Sequence, residues 1–115
     1  IICNHVLEHI DDDKKAMHEL YRVLNKNGTA ILQVPIDLNI KRTFEDSGIK
    51  DKNERIKKFG QYDHVRIYGL DYFDRLKKVG FHVEKNNYVN EFSDEEIKKY
   101  SIVKNEIIPI CKKLV

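Results

Sequence analysis

The order of events between Ile1 and Pro35 most constrains what this chain can fold into. Ile1-Ile2-Cys3 opens an apolar run that turns polar at Asn4-His5 and passes through Val6-Leu7-Glu8-His9-Ile10 to the acidic triplet Asp11-Asp12-Asp13. A run that is continuously apolar rather than alternating reads as a strand covered on both faces. That is the habit of parallel α/β sheets, where ligands gather beyond the strand ends. Asn4 and His5 fall at such an end. The acidic triplet then supplies an N-cap and favourable charge for a helix whose apolar face is Ala16, Met17, Leu20, Val23 and Leu24. Gly28, closing Asn25-Lys26-Asn27-Gly28, is placed to end the helix with a left-handed residue. Thr29-Ala30-Ile31-Leu32-Gln33-Val34 is a second buried strand, stopped by Pro35. Strand, helix, strand in this order point to an α/β fold.

Taken whole, NHVLEHIDDDKKAMHELYRVLNKNGTAILQVP resembles class I S-adenosylmethionine-dependent methyltransferases of the type 11 kind, over the segment from their fourth strand through their fifth. The strand exit VLEHI, the helix end ELYRVLNKNG and the strand AILQVP come in the family's order. Asn27-Gly28 stands where the family usually has a Gly-Gly pair, so one permissive backbone position is lost. Further on, HVRIYGLDYFDRLKKVGFHVE resembles the stretch that leads into the family's sixth strand. The resemblance implies the C-terminal half of a Rossmann-like sheet, strands four, five, seven and six with their flanking helices. It places the N-terminal half, with its glycine-rich loop and acidic ribose-binding residue, outside these residues. Residues 1–115 are thus expected to form part of a methyltransferase domain.

Length and composition agree. The 115 residues are enough for one small core and too few for two. The chain opens on a strand residue, without an initiator Met or a signal-like segment, and so is expected to be the back part of a larger domain. Lys and Arg number 21 against 19 Asp and Glu, a net charge of +2, with both signs interspersed. No dedicated nucleic-acid surface is expected from that pattern. No apolar run of about 18 residues is present to span a membrane. Cys3 and Cys111 lie in apolar, strand-like contexts and read as free buried thiols, which fits a cytoplasmic protein. Oligomeric state is not readable.

After Pro35 the chain turns charged, and a helical piece begins near Asp51. Residues 37–68 are expected to form an insertion or lid, since in the resembled family the segment after the fifth strand helps close over the acceptor. Within it, Phe59-Gly60-Gln61-Tyr62-Asp63-His64-Val65-Arg66-Ile67-Tyr68 gathers aromatics, a histidine and an arginine among few apolar neighbours. Leu70 to Val79 gives a helix ended by Gly80, and Phe81 to Lys85 alternates as the sixth strand. Ser93-Asp94-Glu95-Glu96 has the form of a capping box. Ile107 to Cys111 is the last strand, running between the fifth and sixth. Pro109 in a central strand predicts a bulge or a shortened strand, because Pro lacks a ladder donor.

The resemblance also implies the chemistry. S-adenosylmethionine, as cofactor, carries an activated methyl sulfonium, so the protein mainly aligns an acceptor for in-line displacement and excludes water. The acceptor is expected to be a small molecule. Where it is a hydroxyl or protonated amine, a base must take a proton, and a near-neutral histidine suits that work. His64 and His5 are the candidates. Asn4 and His5 match the place where the fourth strand meets the cofactor, and Tyr62 and Arg66 match the border of the acceptor pocket. Plainer readings stand beside these: an Asx turn for Asn4, packing for His5, and local backbone bonding for His64. Glu8 and His9 read as structural, bonding backbone near the helix start, and His18 and His82 as structural or solvated. His5-Val6-Leu7-Glu8-His9 is also a literal H-x-x-E-H zinc-hydrolase pattern, but that chemistry needs a helix and this stretch follows a strand. No metal is expected. The alternative to an enzyme is a noncatalytic α/β module of the same fold, with the 37–68 region as its interface.

Overall fold

A computed structural model describes residues 1–115. In chain order the elements are α1 (Asp13–Val23), β1 (Thr29–Ile31), β2 (Phe44–Glu45), α2 (Lys52–Phe59), β3 (Arg66–Ile67), α3 (Tyr72–Val79), β4 (His82–Asn86), α4 (Asp94–Lys99) and β5 (Ile108–Lys112). Short 3₁₀ turns cover Leu7–His9 and Tyr88–Glu91. The leading segment runs parallel to β1 and its extension. Ile31 N–H donates to the Ile1 carbonyl at 2.9 Å, Cys3 N–H to the Ile31 carbonyl at 2.9 Å, and His5 N–H to the Gln33 carbonyl at 2.8 Å. On the far side of β1 lies β5, antiparallel, and beyond it β4, also antiparallel to β5. The spatial order is therefore leading segment, β1, β5, β4. This is the order in which the resemblance places strands four, five, seven and six. A separate two-stranded pairing joins β2 to β3.

Local chemistry explains most boundaries. Asp12 caps α1, its carboxylate accepting from Lys15 N–H at 3.0 Å, and at the other end Lys113 Nζ donates to the Tyr21 carbonyl at 2.9 Å. The left-handed residue after α1 is Asn27, with φ 63°, and not Gly28. Gly28 is needed for room instead, because a Cβ there would lie 2.7 Å from the Asn25 carbonyl oxygen. Ser93 does form the capping box of α4, accepting from Glu96 N–H at 3.2 Å while its own N–H donates to the Glu96 carboxylate at 3.1 Å.

Pro109 does not bulge its strand: β5 pairs with β4 without interruption from Ile108 to Lys112. In an antiparallel strand a residue's N–H and C=O point to the same side, and the Pro109 carbonyl accepts from Leu32 N–H at 3.4 Å. The missing donor thus faces β1, whose pairing with β5 stops at Ile31 opposite Ile110. Shortening falls on that ladder alone.

The core is built from Leu7, Met17, Ala30, Leu32, Val34, Tyr68, Tyr72, Leu76, Phe81 and Cys111. Tyr72 satisfies its buried hydroxyl on the Leu32 carbonyl at 2.6 Å. Both cysteines are free, and burial pushes the Cys111 thiol up to about 12. No helix is long and apolar enough to cross a membrane.

Candidate functional site

The polar residues that follow the leading segment are held by an arginine far away in sequence. Arg66, 3% exposed, donates through Nη1 to the Leu7 and Ile10 carbonyls, both at 2.6 Å, and through Nη2 to the Asp11 carbonyl at 2.8 Å. Its Nε donates to Glu45 at 2.8 Å. Val65 N–H adds a bond to the Glu8 carbonyl at 2.9 Å, so the 3₁₀ turn and the 64–68 segment are sewn together. Beside this, Asp13 accepts from the Tyr68 hydroxyl at 2.6 Å and from Arg75 at 2.8 Å. Partial burial alone pushes the Glu45 carboxyl up, but hydrogen bonds from Arg66 and Arg75 bring it below its ordinary value. Tyr68 is driven upward by burial and by its bond to Asp13.

On the other face of the same turn sits a second polar group. Glu8, 2% exposed, His9, half-buried, and His64, 8% exposed, bring one ligand atom each within 4.8 Å of one another. The two imidazole rings meet edge to face with centroids 4.6 Å apart. His9 Nδ1 lies 3.1 Å from the Asp63 carbonyl oxygen, which can only accept, so Nδ1 is the donor, and in the neutral ring Nε2 carries the lone pair. Asp63 also places Oδ2 3.4 Å from the same nitrogen. Glu8 and His64 both line a cavity of about 340 Å³ with Pro35, Ile36 and Gln61. His5 stands at a neighbouring cavity of about 220 Å³ that shares Pro35 and Ile36.

The candidates from sequence land as follows. Asn4 is exposed where the leading segment ends, and its side-chain amide bonds to nothing in the chain, so it makes no Asx turn. His5 takes a left-handed backbone, φ 55°, which turns the chain sharply and sets Nδ1 3.7 Å from Glu8 Oε2. Tyr62 is 54% exposed with Lys52 Nζ 5.7 Å from its ring centre. His64 reaches the cavity, but its companions are Glu8 and His9 rather than Tyr62. Arg66 commits Nε to Glu45 and both terminal nitrogens to backbone carbonyls, so its observed contacts are all within the chain. The H-x-x-E-H stretch forms no α-helix, and His5 and His9 do not share the helical face the zinc-hydrolase pattern needs.

The pattern that defines methyltransferase domains matches residues 1–99. The chain belongs to that family. Its sheet order is the class I order, and the fold is the Rossmann-like one that this order belongs to. The methyltransferase chain is also similar to a crystal structure from Bacillus halodurans C-125, of a protein presumed to be a methyltransferase. The match has a TM-score of 0.56 at 17% identity, covering 99% of this chain and 68% of that one. At that identity the likeness speaks for the fold. No curated protein matches the chain.

Sequence reasoning missed the joining of Glu8 and His9 to His64. They lie on segments more than fifty positions apart, brought together by long-range bonds from Arg66, Val65 and His9 that leave no local signal.

Proposed function

We propose that this methyltransferase-family chain takes part in methyl transfer from S-adenosylmethionine to a small-molecule acceptor, bound at the ends of the leading segment and β1. The observation that carries the reading is the free amide of Asn4 beside the left-handed His5, at a strand end with cavities in front of it. These residues fit the donor: an unpartnered amide can both donate and accept toward the polar groups of a nucleoside or amino acid. Asn4 and the His5 backbone would hold part of it, and bound there it supplies an activated methyl group. The 115 residues contain no G-x-G loop, so the rest of the donor's usual contacts are not in this sequence.

On the acceptor side, residues 37–68 act as the lid. Phe59 anchors α2 by burial and stacks near Phe44 at 5.7 Å, while residues 60–64 carry Gln61 and His64 to the cavity and leave Tyr62 exposed. Two imidazoles compete for the base's work, His64 at the wall of the larger cavity and His5 at the neighbouring one. Arg66 is a positioning residue that fixes the turn bearing Glu8.

Amide NMR spectra of the chain titrated with S-adenosylmethionine test the donor site. Weak binding, with Kd about millimolar, is expected, with shifts confined to residues 3–6 and 33–36 and reduced in Asn4→Ala. Spectra unmoved at saturating donor, or shifts centred elsewhere, would overturn the placement.

A further inference from the structure

We propose that Glu8, His9 and His64 form a binding site for a divalent transition-metal cation. Three buried side-chain oxygens in the whole chain lack a hydrogen-bond partner: both carboxylate oxygens of Glu8 and Oδ1 of Asp63. All three belong to this one cluster, although the rest of the chain pairs its buried polar groups thoroughly. A buried carboxylate without a partner is costly, because nothing replaces the water it has lost, and such groups ordinarily find a partner or hold an ion. His5 does not supply that partner, because 3.7 Å exceeds a hydrogen bond and Oε1 stays bare.

The donor set has the right chemistry. Two imidazoles and one carboxylate with room for further ligands are a common set for first-row divalent metals, and three protein ligands with an open position mark sites that do chemistry. Coordination at about 2.0–2.2 Å draws donors now within 4.8 Å inward by less than about an ångström each, a side-chain movement. His9 is already oriented for it. Its Nδ1–H points at the Asp63 carbonyl, the outer-shell bond that fixes a ligating imidazole with Nε2 toward the metal. The Arg66 bonds hold the turn carrying Glu8 and His9 against the segment carrying His64, so the cluster is preassembled. Because Glu8 and His64 line the 340 Å³ cavity, the open coordination position faces it. This is not the H-x-x-E-H arrangement, since His5 is replaced by His64 from a distant loop. With His64 a ligand, proton removal in the proposed methyl transfer falls to His5, a consequence that rests on that reading. The cation site itself does not.

Titration of the full chain with Co²⁺, followed by its visible ligand-field bands and by calorimetry, tests the site without any methyl donor. One Co²⁺ per chain is expected, displaced by Zn²⁺. Glu8→Gln and His64→Gln should each weaken binding by more than the roughly 10–100-fold typical of an outer-shell change, and Asp63→Asn should fall within that range. His18→Asn and His82→Asn should leave it unchanged. A second measurement needs no variant: Co²⁺ should broaden or shift the ring-proton NMR signals of His9 and His64 and spare those of His18 and His82. No saturable binding in the micromolar range, binding that survives Glu8→Gln, or signals perturbed first at His18 or His82 would each overturn the proposal.

Discussion

Two buried polar clusters flank the same 3₁₀ turn, and they are built on opposite principles. In one, Asp13, Glu45, Arg66, Arg75 and Tyr68 satisfy each other and three backbone carbonyls, with distances of 2.6–2.8 Å at the tightest contacts. In the other, Glu8 and Asp63 keep bare oxygens a few ångströms from two imidazoles. Similar residue types at similar depth thus serve different ends. A closed network stiffens the fold, because every charge it buries is answered; an open one costs stability and is kept where something else is to be bound.

The contrast can be broken first at its strongest point. Arg66→Ala removes the guanidinium donors from three carbonyls and the shorter of two arginine contacts from Glu45, and is expected to lower stability by about 3–5 kcal/mol in urea unfolding. A loss below about 1 kcal/mol would mean that the closed cluster is not what holds the turn. The open cluster should answer with the opposite sign. In metal-free buffer Glu8→Gln replaces a buried carboxylate that no group in the chain hydrogen-bonds, so the urea midpoint should rise, by the equivalent of about 1–2 kcal/mol. A falling midpoint would show that Glu8 is paired in solution.

The smallest effect is one of pH. Glu45 has a folded pKa below the ordinary carboxylate value of 4.5, so near that value the unfolded chain binds more protons than the native one. Its contribution is present above the ordinary pKa and is lost as pH falls through the lower, folded one. Urea midpoints taken from neutral to acid pH should therefore fall less steeply in Glu45→Gln than in the parent chain. Because Glu45 is partly exposed, the difference should be modest, and identical slopes would remove it from the closed cluster.

Much of the fold was legible because its signals are local. The Asp12 cap, the apolar face of α1, the Ser93 box and the left-handed stop at Gly80, φ 125°, act within a few residues of where they are written. The left-handed residue after α1 and the effect of Pro109 were also local but depended on orientation. Asn27 and Gly28 are both able to follow a helix, and only the close approach of the Asn25 carbonyl decides which turns left-handed. Pro109 shortens only the ladder that its missing donor faces and leaves the other whole, and the side it faces is not encoded in a single residue. The site was legible at its edges. Asn4, His5 and His64 stood out as polar groups at a strand end or in a poor core, but nothing near His64 in sequence names Glu8 as its neighbour. Arg66 looked like a ligand-binding cation because an arginine's partners, when they are backbone carbonyls, leave no mark in the side-chain pattern.

Arg66 meets the Leu7, Ile10 and Asp11 carbonyls across separations of 59, 56 and 55 residues. α1 and the ladder between Ile1–His5 and β1 need far shorter excursions of the chain. Closing the longer loop costs more entropy before any contact rewards it, so the order of assembly follows from the distances. The leading ladder and first helix come together early and the turn bearing Glu8 and His9 is clamped later, while the pairing of β1 with β5 spans a still longer loop. In kinetic terms Arg66→Ala should speed unfolding and leave the folding rate almost untouched, a φ-value near zero by stopped-flow fluorescence of the tyrosines. The part of the molecule that is ready for a ligand is then assembled after its scaffold of leading ladder and first helix, and a nascent chain presents its imidazoles and carboxylates as a pocket only once residues 64–66 have docked on the turn.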